Sequence, residues 1–93
     1  MNIVWSPRAR VRMIELREYI AEQNPYAADA VAKRILAAIV LLADFPQMGR
    51  PGRLDGTREL ILPEISIVIP HRVTRNRREI VTVQRAEQKW PPG

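Results

Sequence analysis

The sequence contains no cysteine and one histidine, His71. Without cysteine there is neither a disulfide framework nor a thiolate metal site, and one histidine among singly scattered acidic residues makes no ligand cluster. No metal and no cofactor are therefore expected. A nucleotide fingerprint is also missing: Gly49, Gly52 and Gly56 have loop spacing, with no helix opening after them. Aromatic residues make up 5% of the chain, so any core must be largely aliphatic. The longest unbroken apolar run, Ile35 to Ala43, is about half the length a membrane span needs, and no membrane partner is expected. Met1-Asn2-Ile3-Val4-Trp5 has neither the basic start nor the apolar stretch of a secretory leader, so the expected location is the cytoplasm.

What the chain has in abundance is arginine. Thirteen of its fifteen basic residues are arginine, and the formal net charge is +5. Residues 1–45 carry six basic and five acidic side chains, whereas residues 46–93 carry nine and five. The excess charge thus lies in the second half. Arginine pairs in bidentate fashion with phosphate or carboxylate, so a basic half points to nucleic acid or to an acidic protein partner. A solvated basic surface without a specific partner is the plainer alternative.

Ninety-three residues suit one domain, residues 1–93. Asn2 to Trp5 reads as a short strand. Ser6-Pro7 is a cap followed by a proline at the first helical position, where a missing N–H costs nothing. Ala9, Met13, Leu16 and Ile20 then recur at helical spacing, with Ile14 and Tyr19 widening the stripe, and this helix ends near Gln23. Asn24-Pro25 repeats the signal and opens a second helix whose stripe is Ala28, Val31, Ile35, Ile39 and Leu42. From Ile35 to Ala43 that helix is apolar on every face. One face can pack on a sheet; the remainder needs either the first helix or another chain as cover.

Phe45-Pro46 stops the second helix, and Gln47 to Gly56 reads as an ordered loop. Strands follow at Arg58 to Leu62, at Ile65 to Val73, and at Glu79 to Arg85, with turns at Pro63-Glu64 and Thr74 to Arg78. Pro70 cannot donate to a ladder, so a bulge or an edge is expected there. Ala86 to Gly93 forms a tail carrying Trp90. The expected fold is α+β: an N-terminal strand, a helical hairpin, then a three-stranded antiparallel sheet, with the helices on one sheet face. The other face is left for arginines or for a partner.

Four segments in order resemble the RelE/ParE toxin superfamily of type II toxin–antitoxin systems. They are Tyr19-Ile20-Ala21 with Asn24-Pro25 and Ala27-Ala28; Phe45-Pro46-Gln47-Met48-Gly49-Arg50-Pro51-Gly52-Arg53 with Gly56-Thr57-Arg58-Glu59-Leu60; Ile69-Pro70-His71-Arg72-Val73; and Gln88-Lys89-Trp90-Pro91. The central loop is most similar to ParE-type members. His71 stands where the family commonly has tyrosine, and Arg85 where it often has histidine.

The resemblance implies a toxin that inhibits DNA gyrase and replication and is neutralised by an acidic antitoxin from the same operon. Operator DNA would be reached only indirectly, through that antitoxin. In this reading Arg85, Gln88, Trp90, Arg50 and Arg53 contact the target, and Ile35, Ile39, Leu42 and Arg72 contact the antitoxin. The last strand ends near Arg85, so the side chains after it can point outward. Trp90 either anchors the target or closes the core. The resemblance equally implies an alternative, ribosome-dependent cleavage of mRNA, for which Arg50, Arg58, His71, Arg72 and Arg85 are the candidates. A third possibility is a non-toxic member serving only antitoxin binding and operon control.

Cleavage by a ribose 2′-hydroxyl needs a base as well as cations. Arginine stays protonated, leaving His71 or one of Glu59, Glu64 and Glu87 for that task. No grouping of these residues demands RNA cleavage, so an enzymatic role is the less favoured expectation.

Overall fold

A computed structural model describes residues 2–91 of the chain. Strand β1 (Asn2–Trp5) leads into helix α1 (Pro7–Gln23), and helix α2 (Pro25–Leu41) returns beside it. Both helix starts are set by the cap-and-proline pairs. Ser6 Oγ accepts from the Ala9 N–H at 2.9 Å, and Asn24 Oδ1 accepts from the N–H groups of Tyr26 and Ala27 at 3.1 Å. Each cap satisfies donors that no helical carbonyl reaches.

The sheet has six strands: β1, then β2 (Arg50–Pro51), β3 (Arg58–Leu62), β4 (Ile67–Thr74), β5 (Arg77–Ile80) and β6 (Gln84–Arg85). Its order is β1-β5-β4-β3-β2, with β6 also paired to β4. The β1–β5 pair is parallel and the others are antiparallel. The α+β class is as the sequence indicates, with more strands than the pattern suggests. β2 lies inside the segment expected to be loop, and the expected strand from Glu79 to Arg85 is broken into β5 and β6.

The break has its cause at Pro70. On β4, His71 pairs with Ile80 and Val68 with Gln84, so the β5–β6 strand carries one residue more than its partner over this stretch. That is the bulge expected where proline cannot donate. The Pro70 carbonyl still accepts from the Val81 N–H at 2.9 Å. At the other end, Arg75 and Asn76 take φ values of 45° and 64°. They form a two-residue turn of the kind that suits sheet twist, so this hairpin is tighter than expected. Pro63–Ile65 is a short 3-10 helix, followed by Ser66 at φ 54°, which delays the start of β4 to Ile67.

The core joins Ala9 and Leu16 of α1 and Ile35, Ala38, Ile39 and Leu42 of the second helix and its end to Leu60, Leu62, Ile67, Ile69, Ile80 and Val83 of the sheet. Ile14 and Tyr19 do not widen the stripe; they are 60% and 44% exposed. A second correction concerns the proposed antitoxin contacts Ile35, Ile39 and Leu42, which are 0%, 3% and 0% exposed. They form the sheet-facing stripe of α2 and its end, so a partner cannot touch them while the core is intact. The uncovered side of that helix is Leu36, Val40 and Leu41, each roughly half exposed or more. Among the described residues, no helix is long and apolar enough to cross a membrane.

Because Ile35 is sealed in this layer, Ile35→Ala should destabilise the chain by about 2–5 kcal/mol. Val40→Ser on the same helix should shift the denaturation midpoint by less than about 0.5 kcal/mol in stability terms. Urea titration of both variants measures this contrast.

Candidate functional site: arginines around a buried carboxylate

Side chains alternate along β3, so Leu60 and Leu62 face the helices while Glu59 and Ile61 face the other way. Glu59 is 0% exposed, and in register it lies between Pro70 of β4 and Arg50 of β2. Its oxygens are taken up from the β2 side. Oε1 accepts from Arg50 Nη2 at 3.1 Å and lies 3.6 Å from Arg53 Nε; Oε2 accepts from the Arg53 backbone N–H at 3.0 Å. Two glycines permit this close approach. A Cβ on Gly49, at φ +100°, would stand 2.5 Å from the Glu59 carbonyl oxygen, and one on Gly52 would stand 2.0 Å from Thr57 Oγ1.

Arg53 also donates from Nη1 to the Trp90 carbonyl at 2.7 Å. The Arg8 guanidinium carbon lies 5.4 Å from the centroid of the Trp90 ring. Arginines from α1, β2 and the β2–β3 loop are thus gathered by one carboxylate and one tryptophan. Sequence reasoning named Arg50, Arg53 and Trp90 but missed Arg8, whose place here depends on a contact between opposite ends of the chain. It weighed Glu59 only as a base.

Of the two readings of Trp90, target anchor or closure of the core, its burial fits the second: Trp90 is 7% exposed, and the tail does not turn it outward. The tail is tied back by the Ala86 N–H, which donates to the Ser66 carbonyl at 2.7 Å. Arg8 and Arg53 then hold the indole and its carbonyl. Trp90 supports neighbouring arginines and is not a free anchor.

Arg85 and Gln88 form a separate group. Arg85 stacks 4.1 Å from the Tyr19 ring centroid, pairs with Glu87 at 2.8 Å, and donates its backbone N–H to Gln88 Oε1 at 3.0 Å. With Arg12, Glu15, Leu16, Tyr19 and Val83 these residues line a cleft of about 190 Å³. Arg72, on the same face of β4 as Pro70, is paired across strands with Glu79 at 2.7 Å.

His71 and Arg58 face the helices and act as fasteners. His71 is 2% exposed, and its Nε2–H donates to the Met48 carbonyl at 2.9 Å. Arg58 Nη2 donates to the Gly49 carbonyl at 2.9 Å. Burial holds the imidazole below its ordinary value of 6.5; the Met48 carbonyl pulls it the other way, and the charge of Arg58 lowers it further. A neutral, buried histidine with one nitrogen committed to the backbone is placed to pin a loop, not to meet a substrate. The carboxylate alternatives are occupied too. Glu64 binds Arg34, its backbone hydrogen bond and then Arg34 holding it below the usual carboxylate range; Glu87 binds Arg85. Among the described residues no three His, Cys, Asp or Glu side chains gather to hold a metal.

Residues 3–90 match the family described as the ParE toxin of the type II toxin–antitoxin system parDE. This chain belongs to the ParE toxin family. It is 46% identical over 90 residues to the Sinorhizobium fredii protein named "Putative toxin Y4kP", with 97% of this chain and 93% of that one covered. Toxin RelE2 of Caulobacter vibrioides is 37% identical over 49 residues, 53% of this chain and 56% of its own. A solved chain from the chromosomal ParDE toxin–antitoxin system of P. aeruginosa superposes with a TM-score of 0.82 at 23% identity, over 94% and 97% of the two chains. At that identity the likeness speaks for the fold of this ParE-family chain, including its mixed sheet.

Two measurements check the assignments of Trp90 and His71. Trp90→Ala should cost about 3–5 kcal/mol and unfold much of the population. For His71, the unfolded chain takes up a proton below pH 6.5 that the folded chain resists, so stability should fall as pH drops from 6.5 through the lowered folded value. His71→Gln, which keeps an N–H donor, should lose that part of the slope in a melting series.

Proposed function

We propose that this ParE-family chain arrests growth in the cytoplasm by binding DNA gyrase, and that an acidic antitoxin from the same operon neutralises it. The observation carrying this reading is the family match over residues 3–90. The site favours binding over catalysis. Its cations are plentiful, while each residue weighed as a base is buried or already bound to an arginine or a backbone carbonyl.

In this reading Arg50, Arg53, Arg85 and Gln88 contact the target, and Trp90 supports them from beneath. The antitoxin lies along the open side of α2, on Leu36, Val40 and Leu41. Its carboxylates exchange with Glu79 for Arg72, whose side chain is 47% exposed. A disordered acidic segment that folds on binding supplies both kinds of contact. The similar P. aeruginosa chain comes from a ParDE toxin–antitoxin system, which supports such a partner. Operator DNA is then read by the antitoxin, since α1 mixes arginine with glutamate and α2 is nearly uncharged.

The partial likeness to RelE2 favours a second reading, in which the ribosome and its mRNA are the target. Induction of the chain in cells separates the two. A DNA damage response with unchanged mRNA half-lives is expected, and co-expression of the neighbouring antitoxin should restore growth. Rapid mRNA decay without DNA damage would overturn the gyrase reading. Growth arrest that persists with the antitoxin present would remove the neutralisation half of the proposal.

A further inference from the structure

The cluster around Glu59 carries more positive charge than its carboxylate offsets. Arg50 Nη2 and Arg53 Nε converge on the same oxygen, Oε1, at 3.1 and 3.6 Å. Two guanidiniums held against one buried carboxylate leave a local excess of positive charge. The Arg50 and Arg53 side chains remain 54% and 43% exposed, so guanidinium surface not turned to Glu59 faces solvent.

Three further observations deepen the excess. Arg8 is linked to Arg53 through Trp90, lying over its ring while Arg53 holds its carbonyl. Arg8 and Arg10 lie in the first turn of α1, which contains no acidic residue; cations there face the positive end of the helix dipole and raise the energy of the folded chain. The indole Nε1–H of Trp90, whose ring lies under Arg8 and whose carbonyl holds Arg53, is buried with no acceptor. An oxyanion held by these arginines would offset their excess charge.

The geometry points to a phosphodiester-binding site made by Arg8, Arg50 and Arg53, through which the toxin itself holds the backbone of a nucleic acid. Arginine forks match the paired oxygens of a phosphate, and cations drawn from three separate elements suit a ligand with repeating charge. A helical acidic peptide would need apolar anchors beside the charges. Beside these arginines the exposed large apolar side chains are spread over three elements, Val11 on α1, Leu54 in the β2–β3 loop and Ile61 on β3, while the α2 surface concentrates three. Binding here is independent of base sequence, because these contacts are to phosphate and no helix is offered to a groove. The inference goes beyond the gyrase reading and does not need it, since its test contains no gyrase.

The test is fluorescence anisotropy of the purified chain with a labelled DNA duplex, and with a single-stranded RNA of equal length, across a series of salt concentrations. Arg50→Ala/Arg53→Ala is compared with Arg75→Asn/Arg77→Ala. The second pair removes the same charge from the exposed β4–β5 turn and the first residue of β5, with asparagine chosen because residue 75 has positive φ. Loss of two phosphate contacts should reduce the log–log salt slope on duplex DNA by about 1.8, while the turn variant keeps the parent slope. Arg8→Ala/Arg50→Ala, which spares the Arg53–Trp90 bond, gives the same reading should the first pair unfold. Specific loss on either nucleic acid supports the site, and the tighter arm identifies its source. Equal losses in both pairs would reduce the effect to net charge and overturn the proposal. Tighter binding of an oligoglutamate than of either nucleic acid would overturn it in favour of an acidic peptide.

Discussion

A carboxylate removed from water costs several kcal/mol even after the protein relaxes around it, unless its oxygens are paired. Glu59 is wholly buried, and its place in the sequence leaves no way around that. Leu60 and Leu62 on the same strand belong to the core, so alternation sends Glu59 to the opposite face. There it needs donors, and that face of β3 offers none, Arg58 pointing to the other side. They come from Arg50 and Arg53, which requires the segment after α2 to lie flat against β3. Gly49 and Gly52 let it do so. The short strand β2, the order of the loop and the attachment of the tail through Arg53 all follow from satisfying one acid.

The same segment is fixed from the helix side by different chemistry. Chain leaving a helix carries carbonyls with no helical partner. Here the Met48 and Gly49 carbonyls, shortly past α2, receive N–H groups from His71 and Arg58, adjacent partners across β3 and β4. His71 is therefore a donor to the backbone. Its deep burial and its lowered basicity are consequences of that task. Residues 48–53 are held from both faces of the sheet at once, which fixes the arginines they carry.

Local chemistry was legible in the sequence. Ser6-Pro7 and Asn24-Pro25 mark both helix starts because a cap and its donors lie within three residues of each other. The aliphatic stripe of α2 marked its buried face for the same reason, and Pro70 announced a bulge because a missing N–H is a property of the residue itself. Pairings between distant residues were not legible. β2 and β6 are two residues each, too short to show a period, and exist only because β3 and β4 stand beside them. Trp90 read equally well as anchor or as core, since its burial depends on Arg8, Arg53 and Ser66, far away in sequence. Of the candidate residues, Arg50 and Arg53 were found through their resemblance to a known loop. The acid that organises them was weighed only as a general base, because the donors that bury it lie on another segment.

The distribution of ion pairs shows what this arrangement leaves undone. Glu79 serves Arg72, Glu87 serves Arg85, Asp29 serves Arg17 and Glu64 serves Arg34, each as a one-to-one pair. Exposed pairs of this kind contribute little stability but do cancel charge locally. Glu59 differs in serving two arginines, and Arg8 beside them has no acid partner among the described residues. A sequence selected for stability alone would place an acid in the first turn of α1, where the helix dipole rewards it. This chain places arginines there instead. Local conflict of that sort, kept next to two arginines fixed on a buried acid, is where a protein gives up stability for the binding of something from outside.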